Sequence, residues 1–294
     1  MLKRIVAASV ASLAILLSRL PVPSVDAGGD PVLVGAGDIA SCASSGDSAT
    51  ARLVAGIPGT VFTAGDDAYE LGTLNQFQSC YGPTWGAFRS RTRPSPGNHD
   101  YGTPGASGYF TYFGWRAGPA GKGYYAYNLG AWRIYALNSN CAAIGGCGAS
   151  SPQTRWLKAD LAANPRRCVL AYWHHPRFSS GMHGNDTGVR AFWDVLYAAH
   201  ADVIINGHDH DYERFGRQTP DGSASTSGIR EFVVGTGGKD LRGFATVKPH
   251  SLVRNSTTFG VLKLTLHATS YDWRFVAQSG KTFSDMRTGA PCRA

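Results

Sequence analysis

Val61-Phe62-Thr63-Ala64-Gly65-Asp66-Asp67-Ala68-Tyr69 carries an apolar run into a glycine turn and then into carboxylates. A short apolar run bounded by turn residues reads as a buried strand. The glycine lets the chain turn sharply and presents the next side chain at the end of that strand. The same arrangement recurs. Val32-Leu33-Val34 leads to Gly37-Asp38-Ile39, and Val203-Ile204-Ile205 leads to Gly207-His208-Asp209-His210. Cys168-Val169-Leu170-Ala171-Tyr172 leads to Trp173-His174-His175-Pro176, and a fifth cluster reads Gly97-Asn98-His99-Asp100. Buried strands that deliver carboxylates, imidazoles and an amide to one edge of a sheet predict a polynuclear metal site.

Around these clusters the chain alternates apolar runs with helical stretches, the pattern of an α/β architecture. Helices are expected over Ser48–Ala55, Pro152–Ala163 and Val189–Ala199, with shorter helical pieces at Leu74–Cys80 and Trp85–Arg89. Ser151 is placed to cap the second of these helices and Pro152 to occupy its first turn. Residues 123–129 and 132–137 alternate around Gly130, which predicts an antiparallel hairpin. Gly216–Gly228 reads as a polar surface loop, and Glu231–Val234, Gly260–Leu266 and Tyr271–Val276 as further strands. Two mixed sheets with outer helices fit this order better than a Rossmann sheet. Gly35-Ala36-Gly37 lacks the third glycine of a dinucleotide fingerprint.

Each cluster has its own chemistry. A carboxylate at Asp38 or Asp66 binds a hard cation or bridges two. Tyr69 lies three residues beyond Asp66, and a phenol ordinarily titrates near 10. It therefore serves only a strong Lewis acid such as ferric iron, a pairing known from haem sites. Adjacent residues rarely aim at one ion. Asn98 is accordingly expected as a neutral oxygen ligand, His99 as a group acting on substrate, and Asp100 as the residue orienting the His99 ring. His174 is the candidate imidazole of its cluster, with His175 as rival. His208 and His210 share one face if the segment is extended, with Asp209 turned elsewhere. Such a pair reaches one ion or two neighbours.

The first 27 residues read as an export signal: Lys3-Arg4, an apolar stretch from Ile5 to Leu17, and a small-residue cleavage site at Val25-Asp26-Ala27. The stretch is too short to span a bilayer comfortably, so no stable membrane anchor is expected. Residues 28–294 then form one domain, about 265 residues and close to the upper size of a single core. An even set of cysteines, Cys42, Cys80, Cys141, Cys147, Cys168 and Cys292, suggests disulfides in an exported chain, Cys141 with Cys147 first among them. The formal charge is +8, but the basic residues are scattered except at Arg89–Arg93, so no nucleic-acid partner is expected.

Taken together, the five clusters resemble the metallophosphoesterase (calcineurin-like) superfamily. Asp66 to Tyr69 and Gly207-His208-Asp209-His210-Asp211-Tyr212-Glu213-Arg214 are similar to its purple acid phosphatase branch, as are Phe259–Leu264 and Tyr271–Phe275. The resemblance implies a four-layer α/β/β/α sandwich of two mixed β-sheets flanked by helices. It implies a ferric site from Asp38, Asp66, Tyr69 and His210. Asp66, Asn98, His174 and His208 would hold a divalent ion (Zn, Fe or Mn), with Asp66 bridging. His99 matches the histidine beside the metals, and His183, nine residues after His174, matches another that faces substrate. His175 stands where the family often has a small residue.

The activity so implied is that of a secreted acid-phosphatase-like enzyme acting on small phosphorylated substrates. It would hydrolyse phosphomonoesters by attack of a metal-held hydroxide, without a covalent intermediate. A phosphodiesterase, or an alkaline-type phosphatase with two divalent ions, uses nearly the same ligands. From another class, a non-catalytic exported protein that binds metal or phosphate is the alternative.

Overall fold

All four apolar runs that precede a cluster form strands, and every one of those strands ends where its cluster begins. A computed structural model describes residues 29–293 of the chain, so the export signal expected over residues 1–27 lies outside the described residues. One six-stranded sheet contains β1 (Val32–Ala36), β2 (Thr60–Ala64), β3 (Thr92–Ser95), β11 (Gly260–Leu266), β12 (Ser270–Ala277) and β13 (Met286–Pro291). Its order is β13-β12-β11-β1-β2-β3. A seven-stranded sheet contains β4 (Tyr125–Leu129), β5 (Trp132–Ala136), β6 (Cys168–Tyr172), β7 (Val203–Asn206), β8 (Tyr212–Gln218), β9 (Ile229–Val234) and β10 (Ser251–Asn255). Its order is β10-β8-β9-β7-β6-β5-β4.

Both sheets are mixed. Strands β1, β2 and β3 run parallel to one another, as do β5, β6, β7 and β9, while the remaining pairs are antiparallel. The parallel strands read as nearly unbroken apolar runs because both of their faces are covered. On β6, Leu170 and Tyr172 join the core between the sheets with Leu33, Phe62 and Val203. Val169 and Ala171 point the other way, into a layer with Leu157, Phe192, Trp193 and Leu196. Those residues belong to α4 (Pro152–Ala163) and α5 (Arg190–Ala198). On the first sheet, α1 (Gly46–Ala55) packs against β11. Two short helices, α2 (Leu74–Gln76) and α3 (Ser107–Phe113), lie in the connections around β3 and pack on each other. The result is two mixed β-sheets flanked by helices, the expected sandwich.

Local chemistry explains the boundaries. The Ser151 hydroxyl accepts from the Thr154 amide at 3.3 Å, and Pro152 opens α4. Beyond α2 the helical path widens into a π-turn over Phe77–Tyr81, so the expected helical piece through Cys80 is present with its second half wound more loosely. Part of the expected surface loop at 216–228 is instead strand, because β8 extends to Gln218. Strand β8 is hard to see in sequence because it carries Glu213 into the interior. That carboxylate is satisfied there by the Ser180 amide at 2.7 Å and by the hydroxyls of Ser180 and Ser251. Strands β10 and β13 were also not expected; both are polar strands at sheet edges. All six cysteines are paired, Cys42–Cys80, Cys141–Cys147 and Cys168–Cys292, so the bridge expected at 141–147 is present. No helix among the described residues is long and apolar enough to cross a membrane.

Candidate metal centre

The five clusters meet because β1, β2, β3, β6 and β7 all run toward one edge of the sandwich. Their C-terminal ends are where open α/β sheets place ligands. Backbone hydrogen bonds then tie loop to loop. Asp38 N donates to Gly65 O at 3.0 Å, Ile39 N to Asp66 O at 2.9 Å, and Gly207 N to His174 O at 3.0 Å. The approach is close enough to demand glycine. A Cβ on Gly97 would lie 2.1 Å from Asp66 Oδ1, and one on Gly65 would lie 2.6 Å from His174 Nδ1. Asp38, Asp66 and His208 adopt left-handed φ values of 60°, 54° and 73°. Such strain concentrates at functional sites.

Two quartets of donor atoms result. In the first, the Tyr69 hydroxyl lies 2.8 Å from Asp38 Oδ1, 3.0 Å from Asp66 Oδ2 and 3.3 Å from His210 Nε2. Asp38 Oδ1 lies 3.3 Å from the same His210 nitrogen. In the second, His174 Nε2 lies 3.0 Å from Asn98 Oδ1, 3.2 Å from Asp66 Oδ2 and 3.2 Å from His208 Nδ1. Asp66 Oδ2 is common to both. The structure thus brings together Asp38, Asp66, Tyr69, Asn98, His174, His208 and His210.

The protons show why a cation fits. His174 Nδ1 faces the Ala64 carbonyl at 2.9 Å, and His210 Nδ1 faces the Asp240 carboxylate. Each ring therefore carries its proton on the far side and turns a lone pair toward the carboxylates. Lone pairs converging on lone pairs are stable only around positive charge. In the metal-free chain a proton supplies it: burial disfavours a charged His174, but the Asp66 carboxylate outweighs burial and pushes the imidazole up to about 9. Asp66 is itself held below the usual carboxylate range, since the charge on His174 overcomes burial. Burial, followed by the charges of Asp38 and Asp66, drives the Tyr69 phenol well above its ordinary value. His208 is pushed well down by burial and by His174, which leaves it a neutral donor.

The surroundings of the quartets depart from expectation in two places. His99 does lie beside the quartets, its ring 4.5 Å from that of Tyr69. Asp100, expected to orient it, does not: the carboxylate accepts from the amides of Gly97 at 2.8 Å and Asp67 at 3.1 Å and holds the loop from behind. The Glu70 carbonyl grips His99 Nδ1 instead, at 2.7 Å. The segment holding His208 and His210 is a run of bends, because His208 is left-handed. The two histidines reach the site through different ring nitrogens rather than from one extended face. His175 is half-buried next to His208, with its Nδ1 committed to the Ser139 hydroxyl at 2.8 Å. His183 stacks on His208 at 4.3 Å, and Arg242 Nη1 donates to its Nε2 at 3.1 Å.

The contacts of Asp240 and Arg242 lie outside the sequence reading, whereas Asp209 points away from the site as expected. Asp209 turns out of the site and accepts from His183 N at 2.8 Å and Gly184 N at 3.2 Å, which anchors the loop that carries His183. No spacing rule links a histidine to a carboxylate or guanidinium thirty or more residues away. The one available signal was a charged run, Lys239-Asp240-Leu241-Arg242, inside a glycine-rich loop.

With two mixed sheets and this donor set gathered at one edge, the chain belongs to the calcineurin-like phosphoesterase family, whose sequence model matches residues 28–212. Within the family it is similar to purple acid phosphatases. Purple acid phosphatase 15 of Arabidopsis thaliana is 34% identical over 100 residues, 32% of this chain and 18% of that protein. Purple acid phosphatase 18 of the same plant is 29% identical over 119 residues, 37% of this chain and 27% of that one. The matched stretches thus span about a fifth to a quarter of these relatives. Among solved structures, purple acid phosphatase PPD1 from yellow lupin (Lupinus luteus) seeds has a TM-score of 0.72 at 18% identity, covering 87% of this chain and 53% of that one. GAP50, the anchor in the inner membrane complex of Plasmodium, has a TM-score of 0.65 at 12% identity over 91% of this chain. At these identities the structural likeness speaks for the fold alone.

Proposed function

We propose that this chain is an exported, single-domain phosphatase that hydrolyses phosphomonoesters at a dinuclear centre, with residues 28–294 forming the catalytic domain. Asp38, Asp66, Tyr69 and His210 would hold Fe(3+). Asp66, Asn98, His174 and His208 would hold a divalent ion: Zn, Fe or Mn. The observation that carries this reading is the Tyr69 hydroxyl, set 2.8 Å and 3.0 Å from the two carboxylates and aimed at the point they share. Only a strongly polarising cation makes a phenol a better ligand there than a proton donor. Three disulfides support an oxidising compartment.

Such a metal pair supplies Lewis acidity, neutralising phosphoryl charge and lowering the pKa of water from 15.7 to about 7. The chain's own residues do the rest. Asp66 fixes the two quartets in one frame. The Glu70 carbonyl keeps one His99 proton on Nδ1; from the imidazolium form the second proton, on Nε2, would pass to the leaving oxygen of the substrate and leave the ring neutral. Arg242, which pairs with Asp240 at 3.2 Å and donates to His183 at 3.1 Å, would add a guanidinium beside a phosphate that His183 faces.

The test is turnover on a phosphomonoester and a bis-ester before and after chelation. Activity should favour the monoester, vanish in chelator and return with ferric and divalent ions together. Full activity without metal would overturn the reading, and preference for the bis-ester would move it to a phosphodiesterase. Ferric-loaded protein should absorb visible light, and Tyr69→Phe should abolish that band; a band that survives would remove the phenolate from the ligand set. His99→Ala is expected to retain both metals by elemental analysis while losing roughly 10²–10⁴ in kcat. Parallel loss of metal and rate would make His99 a structural residue instead.

A further inference from the structure

At the sheet edge opposite the metal loops, a cavity of about 830 Å³ opens between the two sheets. Its place follows from register: Arg230, the second residue of β9, lies beside Val203, the first residue of β7, while the histidine cluster follows the other end of β7. Four guanidiniums line the cavity, those of Arg214, Arg217, Arg230 and Arg287, and no carboxylate does. Asp285, behind Arg214 at 2.6 Å, is the only acid hydrogen-bonded to any of them among the described residues. Four charges against one leaves an excess of three.

The cavity is also short of acceptors. Arg230 is 8% exposed and its Nε–H has no partner; Trp273 is 3% exposed and its indole N–H has none either. Buried donors without acceptors are uncommon and costly. Arg214 and Arg230 lie 5.1 Å and 4.8 Å from the Trp273 ring centre, cation–π contacts that ease their charge but leave the Arg230 Nε–H and the indole N–H without an acceptor. Like charges held together around unpartnered donors are relieved by an acceptor-rich anion. The volume lies within the range of small-molecule sites, about 300–1,000 Å³.

We propose that this cavity binds a small polyanion bearing two or more phosphoryl or carboxylate groups, at a site separate from the metal centre. The guanidinium fork suits either group bidentately. The site does not depend on the phosphatase reading.

The experiment titrates inorganic pyrophosphate and citrate, separately, into metal-stripped Asp66→Asn protein by calorimetry. The same titrations follow on that protein with Arg217→Gln and Arg287→Gln added; neither arginine belongs to the core, and an unchanged Tm shows that the fold is intact. One saturable equivalent is expected, weakened at least about tenfold by the two glutamines. Binding of pyrophosphate alone assigns the phosphoryl class, and binding of citrate as well assigns any polyanion. Absence of saturable binding by both probes, or binding that ignores the two glutamines, overturns the proposal.

Discussion

Asp66→Asn is expected to empty both metal positions and to lower kcat/KM by about 10⁴-fold or more, a loss of at least ~5.5 kcal/mol of transition-state stabilisation. The size follows from geometry. One carboxylate oxygen stands within 3.0 Å of Tyr69 and 3.2 Å of His174, so it belongs to both quartets and no neighbour can replace it. An amide has the same shape but no charge. Elemental analysis with steady-state kinetics checks the prediction, and retention of one full equivalent of metal with substantial turnover would refute the bridging role.

A pH signature accompanies that loss. In the metal-free chain His174 is raised from 6.5 to about 9 by Asp66. A raised imidazole pKa stabilises the fold fully below the unfolded value, and this contribution is lost as pH climbs through the folded one. Metal-free wild type should therefore weaken between about pH 6.5 and 9 in denaturant titrations, whereas metal-free Asp66→Asn should show a much flatter dependence. A wild-type protein with no pH dependence in that window would mean that His174 is not paired as described.

The second large effect is on stability. Opening the Cys168–Cys292 bridge with the pair Cys168→Ala and Cys292→Ala should cost about 4–5 kcal/mol in the chain-entropy account, because its ends are 124 residues apart. Domains of this kind are stable by only about 5–15 kcal/mol, so a Tm fall of roughly 10–20 °C is expected. The bridge joins the start of β6 in one sheet to the residue after β13 in the other. Nearby, Asp202 takes the Val169 amide at 2.9 Å and Arg293 donates to Ala201 O at 2.9 Å, pinning the same corner. Turnover well below the new Tm should be nearly unchanged, since His174 lies beyond the far end of β6, six residues along an extended chain from Cys168 and thus about 20 Å away. Calorimetry and kinetics on the same preparation decide it. A Tm near wild type, or a loss of kcat at low temperature, would count against this account.

Sequence alone determined the parts that depend on short-range patterns. Buried parallel strands announce themselves as apolar runs, glycine marks where they stop, and ligand types are legible from side-chain chemistry. Hence the five clusters and the two-sheet plan could be named before any coordinates, while the choice of His174 over His175 rested on the resemblance to a family. What escaped were polar strands at sheet edges and residues whose partners lie far along the chain. Strand β8 was obscured by Glu213, which is tolerable inside only because Ser180 and Ser251 reach it from elsewhere. The role given to Asp100 failed for the same reason: its neighbour in sequence is His99, but the amides of Gly97 and Asp67 reach its carboxylate first. The tertiary structure decided which nitrogen of each imidazole turns inward, because that depends on the Ala64 carbonyl and the Asp240 carboxylate, brought close by sheet packing. It alone assembled the arginine cavity, whose four arginines are scattered over three strands and carry no common motif. Hydrophobic period is a local property of a chain, whereas the partner of a buried charge is set by whatever the fold places opposite it.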